Sequence, residues 1–211
     1  MPSPLLGPAA YQPLADALAT GLPGPGHDAR VADVTVTGDA AAFADHLVAQ
    51  AAGIDLLVPH SNAGRFAPAV AERVGATVVY VDATLPGPEP GLAARLAEKV
   101  ADDGLLLPWT EWWPREELEE VVPAEWFAVL EQTQPRLPPS FLLDEPPTPL
   151  GWQSHRSGYL ALGEGYAEQL AWARGLGWAV AQLEGEHLHH LVDPAAVAEA
   201  VLHLAAEVAP T

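Results

Sequence analysis

Apolar and polar positions change period along this chain, and the changes mark its elements. Ile54 to Val58 is a short run of branched and leucine side chains bounded by Gly53 and Pro59, the pattern of a buried parallel strand. Ala76 to Val81, Gly158 to Leu162 and Trp178 to Leu183 repeat it, and the valine-rich, loosely alternating Arg30 to Thr37 predicts a further strand. Helical spacing fills the gaps. Tyr11 to Thr20 places Leu14 and Leu18 four apart, with Pro13 tolerated in the first turn. Gly38-Asp39 opens a helix bearing Phe43, Leu47 and Val48, with Asp39 as its N-cap. Asn62 to Val74 ends at Gly75, Glu164 to Arg174 is amphipathic, and Asp193-Pro194 starts a last helix with Val197, Val201 and Leu204 inward.

Strands alternating with helices predict an α/β fold: a three-layer sandwich with a mostly parallel five-stranded sheet and helices on both faces. Ligand chemistry in such sheets lies outside the C-terminal ends of the strands, where Ser61 and Asp82 both fall. The alternation stops between about residues 87 and 157, where prolines, acids and tryptophans dominate. Helices are expected there at Leu92 to Val100, Arg115 to Glu120 and Pro123 to Glu131, followed by a stiff irregular stretch from Pro135 to Pro149. The expectation is one domain over residues 1–211, with this segment inserted as a helical lid.

Composition narrows the partners. The net charge of −19 repels phosphate backbones and anionic lipid surfaces, so nucleic acid and membrane are not expected partners and a small-molecule substrate is. Cysteine is absent, which excludes a disulfide framework and a thiolate nucleophile. Residues 1–10 lack a basic region and no apolar run approaches membrane-spanning length, so a cytoplasmic monomer or homodimer is expected.

The candidate chemistry gathers at the predicted strand ends. Ser61 sits where the Ile54 to Val58 strand turns into a helix, and small residues at Ala63 and Gly64 allow a tight turn and a close helix. A helix N-cap is the plainer use of such a serine. His187, behind Gly185 and past the last strand, can act as the base that a serine hydroxyl needs, and a third group must fix its tautomer. Asp82 and Glu164 both qualify; the shorter Asp82 on a strand end is better fixed, whereas Glu164 lies between two glycines. His187, His189 and His190 beside Asp193 raise a metal reading, but adjacent loop histidines without a spaced partner do not converge tetrahedrally, so no metal is expected. His60 is expected near the pocket floor. Trp109, Trp112 and Trp113 either line an acyl pocket or form the core of the insertion.

These motifs resemble the α/β-hydrolase family, in the form of its small actinobacterial-type members, over nearly the whole chain. Leu57-Val58-Pro59-His60-Ser61-Asn62-Ala63-Gly64 looks like the nucleophile elbow, with Pro59 and Ala63 where the usual pattern has glycines. Val79 to Ala83 looks like the next strand, Gly185-Glu186-His187 like the histidine loop, and Ser3-Pro4-Leu5-Leu6-Gly7-Pro8 like the oxyanion loop. The resemblance implies hydrolysis of an ester, thioester or amide through an acyl-enzyme, without a cofactor. Ser61 would be the nucleophile, His187 the base, and Asp82 or Glu164 the acid; Asn62 and the region of Leu5 would supply the oxyanion N–H groups. The family has a central strand directly before the oxyanion loop, whereas this sequence starts at that loop. Either its start is short relative to the family, or the strand from about Arg30 pairs directly with the one at Ile54. Two other functions share the pocket: a lyase, isomerase or cyclase using His187 and a carboxylate for proton transfer, and a non-catalytic binding protein on a hydrolase scaffold.

Overall fold

A computed structural model describes residues 1–21, 28–36 and 38–209. A 3-10 turn at Pro8–Tyr11 leads into α1 (Gln12–Gly21), followed by α2 (Ala40–Gln50), β1 (Leu56–Leu57), β2 (His60–Ser61), α3 (Ala67–Val74) and β3 (Thr77–Ala83). The segment between β3 and β4 holds α4 (Leu92–Ala97), α5 (Arg115–Val121), α6 (Phe127–Thr133) and α7 (Pro139–Leu143). β4 (Ser157–Leu162), α8 (Ala167–Gly175), β5 (Ala179–Leu183), α9 (His189–Val192) and α10 (Pro194–Val208) complete the order.

The sheet runs β1-β3-β4-β5, with β2 also on β3, and every pairing is parallel. Strand periodicity divides the core between its faces. Val78 and Tyr80 of β3 and Tyr159 and Ala161 of β4 pack with Phe43, Phe66 and Leu170 of the α2, α3 and α8 side. Val79, Val81, Leu160 and Leu162 pack on the other face with Leu14 and Leu18 of α1 and Val197, Val201 and Leu204 of α10. This is the expected three-layer α/β arrangement with a five-stranded parallel sheet and helical insertions. The expected caps also form: Asp39 and Asp193 accept from the N–H groups of Ala42 and Ala196, and Gly75 ends α3 in the left-handed conformation.

The strand expected from Arg30 to Thr37 is absent over the described part of that segment, Thr37 itself lying outside the described residues. Residues 28–36 form no strand. Local side chains take the hydrogen bonds a ladder would need: Gln50 bonds both the N–H and the C=O of Asp33, and the Asp33 carboxylate accepts the Thr35 N–H. That segment therefore does not pair with the strand after Ile54. The five strands arise because the expected Ile54 to Val58 strand continues past Pro59, whose missing N–H divides it into β1 and β2. Met1 lies beside the break, donating from its nitrogen to the Val58 carbonyl at 2.7 Å and accepting from the His60 N–H at 3.1 Å.

The helices between β3 and β4 are tied to the elements that carry the candidate site. Arg65 in the turn after β2 donates to the carbonyls of Leu142 and Asp144 at 2.8 and 2.7 Å, beside α7. Gly7, at φ +76, lies so close to α6 that a Cβ would come within 2.6 Å of the Thr133 carbonyl oxygen. The proline-rich stretch expected to be irregular contains the short α7, whose Pro139 occupies its first turn.

Gly64 shows why the turn after Ser61 needs small residues. A Cβ there would lie 2.5 Å from the Thr84 carbonyl oxygen and 2.9 Å from the Ala83 Cβ. Gly64→Ala is expected to destabilise the protein by about 1 to 3 kcal/mol through overpacking, read as a lowered denaturation midpoint at unchanged m-value.

Candidate active site

Ser61 ends β2 with φ 56 and ψ −132, a strained backbone for any residue with a side chain. The distortion has a visible cause. His60 pairs with Val81 but Ser61 with Ala83, so one residue of β3 is skipped as the chain leaves the sheet and starts the 3-10 turn Asn62–Arg65. Ser61 occupies the N-cap position, yet its hydroxyl makes no capping hydrogen bond. The capping role that would explain this serine most simply is therefore not performed.

Asp82 is the second strained residue without glycine's freedom, at φ 42, and it has no exposed surface. Its Oδ2 lies 2.7 Å from Nδ1 of His187, and its Oδ1 accepts the Leu162 N–H at 2.9 Å. The carboxylate is thus fixed at the adjoining C-terminal ends of β3 and β4 and aimed at an imidazole from the loop after β5. Glu164 lies on the surface and takes a hydrogen bond from the Gln182 amide at 3.1 Å. The structure brings Asp82, and not Glu164, to His187.

Two rings hold the plane of His187. Tyr166 stacks on it at a centroid distance of 5.1 Å and 10°, and His60 at 4.5 Å and 30°. With Nδ1 on Asp82, the remaining ring nitrogen, Nε2, is the one free to serve a reacting group. Burial raises the Tyr166 phenol above its ordinary pKa, partly offset by hydrogen bonding with the Ser61 and Thr84 side chains. Tyr166 thus stacks on the candidate base. Sequence reasoning missed it because a tyrosine opening a surface helix has no distinctive local pattern.

Behind this layer lie His60, Tyr11 and His190. His60 is 1% exposed, with Nδ1 2.8 Å from the Tyr11 hydroxyl and Nε2 2.9 Å from the His187 carbonyl oxygen. Both ring nitrogens are therefore engaged within the protein. His190 is fully buried, stacks on Tyr11 at 4.9 Å and meets His60 edge-on at 4.7 Å. Burial holds His60 well below the usual histidine pKa and lowers His190 to about 3, with the neighbouring imidazoles acting in the same direction. Both are neutral at physiological pH. His189 sits half-buried with its ring against Gly185.

The Asn62 N–H lies at the start of the 3-10 turn beside Ser61, and the Leu5 N–H rests on Ser3 Oγ at 3.3 Å. Trp109 is buried and packs edge-on to the exposed Trp113 at 5.0 Å, while the Trp112 indole donates to the Leu107 carbonyl. Trp113, Thr110, Arg115 and Gln134 border a surface hollow of about 470 Å³, and Tyr80, Trp152 and His155 border another of about 270 Å³ toward the opposite end of the sheet. Neither is lined by Ser61 or His187. Among the described residues no helix is long and apolar enough to cross a membrane.

The fold is similar to that of solved enzymes. A thermophilic esterase from Thermogutta terrifontis aligns with a TM-score of 0.61 and 16% identity over 96% of this chain and 86% of that one. Two variants of PytH, a pyrethroid hydrolase, align at 19% identity: one with a TM-score of 0.63 over 98% of this chain and 96% of that one, the other with 0.61 over 96% and 94%. No family profile and no curated protein matches the chain. The likeness establishes the fold: the chain has the α/β-hydrolase architecture.

Strain at Ser61 has a measurable consequence. Glycine ordinarily costs roughly 0.5 to 1 kcal/mol relative to alanine, but a strained left-handed position reverses this by about 1 to 3 kcal/mol. Ser61→Gly is therefore expected to melt above Ser61→Ala. The buried neutral histidines give a second prediction. Unfolding exposes His60 and His190 to water, where each binds a proton below its ordinary pKa of about 6.5. Since the unfolded state then holds more protons, stability should fall as pH drops below about 6.5, by up to about 1.4 kcal/mol per pH unit for each histidine. Denaturant titrations between about pH 7 and 5 should show this slope and its reduction in His190→Phe.

Proposed function

We propose that this protein is a serine hydrolase that cleaves an ester or thioester of a small organic or natural-product-like substrate through an acyl-enzyme. One observation carries the reading: an uncapped serine on a strained strand-to-helix turn shares a sheet edge with an imidazole whose Nδ1 is held by a buried carboxylate. The similarity to an esterase and a hydrolase of the same fold supports it.

In this mechanism His187 Nε2 takes the Ser61 proton as Oγ bonds to the acyl carbon, and the leaving alcohol or thiol departs with that proton. Water, deprotonated by the same nitrogen, then attacks the acyl carbon, and the imidazolium returns its proton to Ser61 Oγ as that oxygen leaves and the acid is released. Asp82 keeps the proton of neutral His187 on Nδ1 and stabilises the imidazolium that forms in each step. The Asn62 N–H and the Leu5 N–H serve the oxyanion. The long 3.3 Å bond from Leu5 to Ser3 Oγ is a weak one to exchange for an anionic acceptor. Tyr166 holds the plane of the His187 ring by stacking on it.

The helical insertion serves as the lid of a single domain. Trp109 supplies its aromatic substrate side; Gln134 bonds both the N–H and the hydroxyl of the neighbouring Thr110, and the adjoining Thr133 abuts Gly7 of the oxyanion loop. Trp113 extends that side, and Trp112 braces it through Leu107. His60 lies beneath the pocket and supports it. The reaction requires no metal or other cofactor.

Fluorophosphonate labelling and hydrolysis of 4-nitrophenyl acetate test the reading. Ser61→Ala should abolish both. Asp82→Asn should lower kcat by at least about 10³-fold, while Glu164→Gln should stay within about twofold of the unmodified protein. Turnover without a covalent adduct on Ser61 would favour proton-transfer chemistry instead, and the absence of both activities a binding role.

A further inference from the structure

Three segments meet around Ser61: the loop from Met1 to Gly7, the turn His60–Ser61, and the loop carrying His187. His60 is the side chain that joins the other two. Its Nε2 faces a carbonyl oxygen, that of His187 at 2.9 Å, and a carbonyl can only accept. The ring proton therefore sits on Nε2, and Nδ1 accepts from the Tyr11 hydroxyl at 2.8 Å. The Tyr11 oxygen in turn accepts the Ser3 N–H at 3.0 Å. Donors thus run in one direction from Ser3 through Tyr11 and His60 to His187. Each bond fixes the orientation of the next, and the bond from Tyr11 to Nδ1 requires a neutral His60.

Packing removes the freedom that would let the chain of bonds relax. His190 stacks on Tyr11 at 16°, His60 stacks on His187 at 30°, and Tyr11, His60 and His190 are all buried. We propose that His60 is a positioning residue which, through Tyr11, couples the candidate oxyanion loop at Ser3 to the His187 turn, so that nucleophile, base and oxyanion donor keep one relative geometry. This goes beyond the assignment of Ser61, His187 and Asp82 and rests on the hydrolase reading above. His60 touches no reacting atom in this scheme. It acts by fixing the main chain of the base on one side and the loop before Leu5 on the other. A displacement of about 1 Å between such groups costs about 10²-fold in rate.

The test uses full-length Tyr11→Phe, His60→Gln, His60→Asn and the Tyr11→Phe/His60→Asn double variant, with 4-nitrophenyl acetate as substrate. Tyr11→Phe keeps the ring and removes the hydroxyl; it should lower kcat by about 10-fold or more with KM within about twofold. His60→Gln can place an amide donor near the Nε2 position and should retain more activity than His60→Asn, whose shorter amide reaches only the Tyr11 side. The double variant should be no slower than His60→Asn alone, because Tyr11 acts through His60. A readout independent of turnover is the downfield proton resonance of His187 Nδ1–H on Asp82. It should persist in the parent and His60→Gln and broaden or shift in Tyr11→Phe and His60→Asn.

The proposal is overturned if Tyr11→Phe and His60→Asn keep kcat within about twofold. It is equally overturned if the losses add in the double variant, or if they follow only the fraction of folded protein in thermal melts. Should the parent protein hydrolyse nothing, the hydrolase reading fails, and the resonance series alone decides whether His60 positions His187.

Discussion

A carboxylate with no exposed surface must find partners for its charge, and the site is arranged around how Asp82 meets that requirement. One oxygen takes a main-chain N–H of the neighbouring strand and the other takes His187, so the demand of the buried group is satisfied half by the sheet and half by the loop after β5. The loop after β5 is thereby given a fixed point. The imidazole inherits the precision of the sheet, the most rigid element available to it.

The second constraint is steric. Ser61 and Asp82 are the two non-glycine residues with positive φ among the described residues, and they end adjoining parallel strands. Strain of this kind persists where the surroundings overdetermine the backbone. Here they do: the Ser61 carbonyl accepts from Thr84, Gly64 presses on the Thr84 carbonyl, and Tyr159 bonds both the N–H and the C=O of Ala83. The turns are held from both sides, which keeps both strained backbones in place.

Aromatic and imidazole rings then supply what short polar contacts cannot, an orientation in three dimensions. Tyr166 and His60 fix the plane of His187 while Asp82 fixes its rotation within that plane. The same His60 faces Tyr11, and so the start of the chain, the nucleophile turn and the base loop share one buried layer. That layer is made of neutral histidines. Burial disfavours the charged form of both His60 and His190, so their protonation in acid works against the folded layer.

The sequence by itself determined the alternation of parallel strands and helices, the caps at Asp39, Gly75 and Asp193, and the placing of Ser61, Asp82 and His187 at one edge of the sheet. Those features follow from periodicity and from local backbone chemistry, which neighbouring residues suffice to set. It misjudged Arg30 to Thr37, because β-branched composition says nothing of where backbone partners come from, and Gln50 and Asp33 provided them. It left Asp82 and Glu164 open, since both follow strand ends and only the register of β3, β4 and β5 decides which carboxylate faces the imidazole. It gave no sign of Tyr166 or Tyr11 as members of the site, and it raised His190 only in a metal reading that it set aside. Their contacts join residues far apart along the chain, and a stack of rings exists only once packing has brought its members together.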